Sequence, residues 1–147
     1  MFRFQEGKST NFKEDGWKSS IALMADPNTL PSDIVGCGGV ISVNFSQRVS
    51  YPTDKREKET PWYIVFGHEL KHASNANNGV LNAQPYDPYH EDSNLSRVSK
   101  DEQSAMVYEN YLRKINNLPL RTAYSTYNGT DFFPVANVNS LPYIPNR

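Results

Sequence analysis

Residues 60–79 read TPWYIVFGHELKHASNANNG, and this stretch decides how the rest of the chain is understood. Thr60 suits an N-cap and Pro61 the first helical position, where its missing N–H is not needed. Trp62, Ile64, Val65, Phe66, Leu70 and Ala73 fall on more than one helix face. The spacing therefore predicts a helix near 61–75, buried along most of its length. Gly79, after Asn75, Asn77 and Asn78, marks its end. Inside this helix stands His68-Glu69-Leu70-Lys71-His72, an H-E-x-x-H motif. Four residues are about 400° of helical rotation, so both imidazoles leave one face, one turn apart. Two ring nitrogens so placed can bind one zinc ion at about 2.0–2.1 Å. Glu69 can then reach a metal-bound water without ligating the ion. Zinc acidifies such a water and polarises a carbonyl, while Glu69 takes the proton and returns it to the leaving amine. With 3 His and 8 Glu in 147 residues, chance predicts roughly 0.003 such motifs. Two histidines and a glutamate on an ordinary helix face is the weaker reading.

A catalytic zinc site needs a third protein ligand and an open fourth position. No histidine follows His72 at the offset of a metzincin. Ser99-Lys100-Asp101-Glu102 has the form of a capping box, opening a second helix from about Lys100 to Asn116, before Asn117-Leu118-Pro119. This helix carries Glu102 and Glu109, which share a face two turns apart. Glu102 is favoured as the ligand, because Ala105 one turn on lets two helices approach around an ion. Glu109 then orients one of the histidines. Glu109 itself, His90 in the loop Tyr89-His90-Glu91-Asp92, or another carboxylate stay open as third ligand, with Glu102 serving only its capping box.

Further out, Gly36-Cys37-Gly38-Gly39 precedes a segment in which Ile41, Val43 and Phe45 alternate with polar residues, the period of a half-buried strand. We place 41–45 at the edge of a small sheet. Cys37, beside three glycines, reads as a small strand-edge residue rather than a nucleophile. Residues 46–60, with the run Lys55-Arg56-Glu57-Lys58, read as a solvated hairpin or loop, and 80–98 as a loop. Residues 125–147 read as extended segments wrapping the surface. Residues 1–35 carry few strong signals, a short element over Ile21–Met24 and a turn at 25–28 among them.

The 147 residues match one domain over 1–147. Hydrophobic residues at 37%, charged residues at 21% and a mean hydropathy of −0.67 allow a polar but foldable chain. A net charge of −1 gives no footprint for nucleic acid or anionic membranes. No apolar run approaches a membrane span. The single cysteine excludes an intrachain disulfide framework. The first eight residues lack the apolar core of a Sec signal.

His68-Glu69-Leu70-Lys71-His72-Ala73, followed by Gly79, resembles the H-E-L-x-H-A-x(5)-G segment of clostridial neurotoxin light chains and of the NleD-like zinc metallopeptidase effectors. Glu109-Asn110, Arg113 and Asn117-Leu118-Pro119-Leu120-Arg121 with Tyr124 resemble the latter family's E-N-x-x-R…G-L-P-L-R-x-x-Y pattern. Asn117 stands where a glycine is usual, and Lys71 where an aliphatic residue is usual. The resemblance covers about 36–127 and is strongest at 61–79 and 109–124. It implies a gluzincin-type site of two histidines, one glutamate ligand and a glutamate base, with Arg121 and Tyr124 supporting the transition state.

The expectation is thus an α+β, zincin-like metallopeptidase domain with a small sheet, an active-site helix and a ligand helix. Zn²⁺ would sit on His68, His72 and Glu102. Glu69, Arg121 and Tyr124 would be catalytic, the last two sharing a face of a helical turn after Pro119. A protein substrate would lie extended along the edge strand. The family setting is a bacterial effector or toxin domain, sent by a non-Sec route into a target cell or cytoplasmic, with an immunity or secretion partner unknown. No nucleic-acid or membrane partner is expected. The alternative is a catalytically inactive, zinc-stabilised binding module with a closed metal site.

Overall fold

A computed structural model describes residues 1–14, 38–56, 59–79, 99–127 and 130–135. Its elements in chain order are β1 (Phe2–Glu6), β2 (Asn11–Glu14), β3 (Gly39–Val43), α1 (Trp62–Asn77), α2 (Lys100–Ile115), β4 (Ala123–Tyr127) and β5 (Thr130–Pro134). The described residues form a mixed α+β fold, with a three-stranded sheet, a two-stranded hairpin and two helices among them.

Ile41 and Val43 point inward as their alternation requires. Their strand, however, is the middle of the sheet rather than its edge. β1 pairs with β3 in parallel, Phe2 opposite Gly39 through Glu6 opposite Val43. β2 pairs antiparallel on the other side, Asn11 opposite Ser42 through Glu14 opposite Gly39. The expected edge strand over 41–45 is corrected because residues 1–14 supply both flanks, and beyond Met1 their only apolar marks are scattered phenylalanines. Gly39 permits the β2 pairing, since a Cβ there would run into the Phe12 ring. The sheet packs on α1 through Ile41, Val43 and Ala73, with Phe2, Phe12 and Phe66 against them.

The start of α1 falls one residue later than its sequence suggests. Pro61 is the N-cap, and no side chain caps the helix. Thr60 is engaged elsewhere: its N–H donates to Val49 O, and its hydroxyl accepts from Arg113 Nη2 at 2.8 Å. Only part of α1 is buried, through Ile64, Val65, His68, His72, Ala73 and Ala76, while Trp62, Tyr63 and Leu70 are exposed. The helix ends as expected at Gly79, which takes a left-handed φ of 66°. α2 lies antiparallel to α1, because His72 meets Asp101 and His68 meets Glu109. Gly67 lets the two approach, since a Cβ there would collide with Leu112 Cδ1. Ser99 caps α2, its Oγ accepting from Glu102 N at 3.1 Å.

After α2 the chain turns at Asn117, whose φ of 54° is the left-handed conformation that glycine or asparagine tolerates. The expected helical turn over Arg121 and Tyr124 is not formed. Arg121 bridges Thr53, and Tyr124 lies in β4. Pro52 O accepts from Thr122 N, and Leu120 O from Asp54 N, so residues 52–54 run against 120–122, while Val49 and Thr60 bridge antiparallel as the hairpin reading of 46–60 allows. Within the stretch read as extended, Ser125–Tyr127 and Thr130–Pro134 are extended, and they belong to strands β4 and β5, which pair antiparallel. Ile21–Met24, the turn at 25–28, Cys37, Glu57, Lys58, the 80–98 loop with His90, and residues 136–147 lie outside the described residues. No helix among the described residues is long and apolar enough to cross a membrane.

Candidate metal centre

α1 carries His68 and His72 one turn apart, both turned to α2, with their Nε2 atoms 3.1 Å from each other. Glu102 closes a triangle: Oε2 lies 3.3 Å from His68 Nε2 and Oε1 lies 3.4 Å from His72 Nε2. Ligand atoms at about 2.05 Å from a tetrahedral ion stand ~3.3 Å from one another. The three observed edges bracket that value, so this His–His–Glu group could hold a metal ion. The charge state agrees. Glu102 Oε2 is buried and accepts no hydrogen bond among the described residues. Such an oxygen is costly without a partner, and a cation between the three side chains supplies one.

Behind the triangle each imidazole is held by a carboxylate. His68 Nδ1 faces Glu109 Oε2 at 3.2 Å, and His72 Nδ1 faces Asp101 Oδ2 at 2.5 Å. A ring that donates from Nδ1 keeps its lone pair on Nε2, the atom aimed at the centre. The two supports differ in charge. Asp101 also accepts from the neutral Asn75 amide. Glu109 is fully buried and accepts from two guanidiniums, Arg113 Nε at 2.8 Å and Arg121 Nη1 at 2.6 Å.

Without an ion the cluster holds protons instead. Burial alone would lower the His72 pKa, but its interactions with Asp101 and Glu102 outweigh burial and push it up to about 10. His68 moves up for the same reasons, with Glu102 and Glu109 as partners. Burial would raise Glu102, yet the two imidazoles hold it far below the usual carboxylate range. A metal ion and these protons compete for the same atoms.

Glu69 lies on the sheet side of the triangle. Its Oε2 accepts from Phe12 N of β2 at 2.8 Å, and burial raises its pKa. A cavity of about 660 Å³ opens here, lined among others by Tyr51, His68, Glu69, Glu102, Arg121 and Tyr124. His68, Glu69, Glu102, Arg121 and Tyr124 line this cleft, and His72 adjoins it through His68. Their arrangement departs from expectation at Arg121, which is 2% exposed. Its Nε donates to Ala123 O at 3.0 Å, Nη2 to Tyr124 O at 2.8 Å and Nη1 to Glu109. Tyr124 is 38% exposed and faces the cleft. Glu109 sits behind His68 rather than in the ligand group.

Sequence reasoning misses Asp101 and Tyr51. Asp101 precedes Glu102 in the capping box, and the only signal was a second acid about 100° around the helix. Tyr51 belongs to a segment whose charged neighbours mark it as solvated. Comparison with protein-family models, with curated proteins and with solved structures finds no match to this chain.

Proposed function

We propose that the chain is a zinc-dependent endopeptidase of zincin type, acting on a protein substrate. One observation carries this reading: three ligand atoms spaced for a tetrahedral ion stand beside the partly buried Glu69 in an open cleft. Two imidazoles and one carboxylate, with a position left open, are the donor set of catalytic zinc. When bound, zinc supplies a Lewis acid that acidifies water and polarises a carbonyl.

The remaining work falls to side chains of this protein. Glu69 accepts the proton of the attacking water and delivers it to the leaving amine. Its raised pKa brings it closer to neutral pH, where such transfer is most efficient. Phe12 N–H fixes the carboxylate from the edge strand. That edge is β2, which among the described residues pairs only with β3, so an extended peptide can add along it. Tyr124 offers a phenol to the developing oxyanion. Arg121, with donors already committed to Glu109 and two carbonyls, positions Tyr124 instead. The setting as a bacterial effector or toxin domain rests on the sequence resemblance at 61–79 and 109–124. The test is Glu69→Gln, which should keep zinc and fold while lowering peptide-bond cleavage by about 10²- to 10⁴-fold. Undiminished cleavage by this variant would remove Glu69 as the base.

A further inference from the structure

Tyr51 takes no part in the steps assigned to Glu69 and Tyr124, yet it lines the cleft with His68, Glu69 and Glu102. The Arg121 guanidinium lies over its ring, with Cζ 3.7 Å from the ring centroid. The Tyr124 ring flanks the same guanidinium at 5.5 Å. Both distances fall within the roughly 6 Å reach of a cation–π contact. The backbone holds this arrangement in place: Thr53 bridges Arg121, and Thr122 N donates to Pro52 O at 2.9 Å. Arg121 is in turn fixed to Glu109 behind His68. The Tyr51 ring is thus anchored to the support of the ligand cluster.

A partly buried phenol normally finds a hydrogen-bond partner. The Tyr51 hydroxyl has none among the described residues. Burial keeps the phenol protonated, against the pull of Arg121 and with help from Glu109 and Glu69. It is therefore an O–H donor in the cleft at neutral pH, with its ring locked and its proton uncommitted.

We propose that Tyr51 is a second phenol in contact with substrate, its ring clamped on Arg121 and its hydroxyl donating to the oxygen of the carbonyl under attack. This rests on the peptidase reading. The two phenols then divide the work, with Tyr124 carried on β4 and Tyr51 on the opposing 50–54 segment. Arg121 is the strut between them.

The experiment uses the full chain loaded with zinc, and acetohydroxamate as a probe that presents an anionic oxygen to the same donors. Zinc content, thermal melting and acetohydroxamate affinity by calorimetry are measured for wild type, Tyr51→Phe and Tyr51→Leu. Tyr51→Phe keeps the ring, so zinc content should be unchanged and the melting temperature should stay within about 1 °C of wild type. Its acetohydroxamate affinity should fall about 10- to 100-fold, the size expected for a hydrogen bond to a charged oxygen. Tyr51→Leu should lose the same affinity and melt lower, because Arg121 loses its stacking partner. Wild-type affinity in Tyr51→Phe overturns the proposal while leaving the peptidase reading intact. A loss that accompanies a loss of zinc overturns it too. A wild-type protein that holds no zinc removes both readings together.

Discussion

Asp101→Asn separates the support of the metal ligands from the support of the fold. Asp101 is 5% exposed and joins His72 Nδ1 to the Asn75 amide. An asparagine can still accept from Nδ1 if the Asn75 amide turns over, so the change removes the charge alone. In the metal-free state the protonated His72 keeps only Glu102 as its counter-charge, so the metal-free fold should lose about 1–3 kcal/mol. Zinc affinity responds differently. A carboxylate behind a ligating imidazole raises its basicity, and its removal typically weakens binding 10- to 100-fold. Because Asp101 shares its charge with a neutral amide rather than with guanidiniums, its full charge reaches His72. We therefore expect Asp101→Asn near about 10-fold, or ~1.4 kcal/mol, and Asp101→Ala near about 100-fold. The assay is competition for zinc against a chelating dye at about pH 7.5, with metal-free melting curves as the control. Affinity within about threefold of wild type, with the fold intact, would show that the hydrogen bond to His72 does not support a ligand.

Glu109→Gln should behave in the opposite way, unfolding the protein before it reveals anything about zinc. It leaves Arg113 and Arg121 buried against a neutral amide, a change that costs about 3–5 kcal/mol. The metal-free melting temperature should then fall by about 10 °C, and a fall under about 3 °C refutes the buried network. The pH dependence comes from the proton-holding state of the cluster. Raised from 6.5 to about 10, His72 contributes fully to metal-free stability below about pH 6.5 and loses that contribution as the pH climbs toward 10. Glu102, lowered from 4.5, contributes fully above about pH 4.5 and loses it as the pH falls further. Melting temperature with a chelator should therefore be highest between about pH 4.5 and 6.5, whereas the increase on adding zinc should widen from about pH 6 to 8. The same zinc increment at both pH values contradicts the competition.

His68, His72, Glu102 and Glu109 are legible in the sequence because their spacings of four and seven are properties of single helices. Seven residues are about 10.5 Å of helix, so only one of the two glutamates can reach the centre while the other backs a histidine. Asp101 is not legible, because its use depends on the rotation of α2 against α1. No local spacing encodes that. Tyr51 and the extended path of Arg121 are set by pairing between 52–54 and 120–122, segments distant in sequence. The helix does end ahead of Pro119 as read, but residues 120–122 take their conformation from this distant partner. The central place of β3 was hidden for a similar reason: its neighbours β1 and β2 are short and mostly exposed.

The most direct measurement is the metal content of the purified chain, expressed with zinc and never exposed to chelator, beside that of His72→Ala. The geometry of His68, His72 and Glu102 predicts about one zinc per chain in the wild type and none retained by His72→Ala. A folded wild-type protein without metal, or a His72→Ala protein that keeps its full equivalent, would contradict a metal centre built on these three side chains.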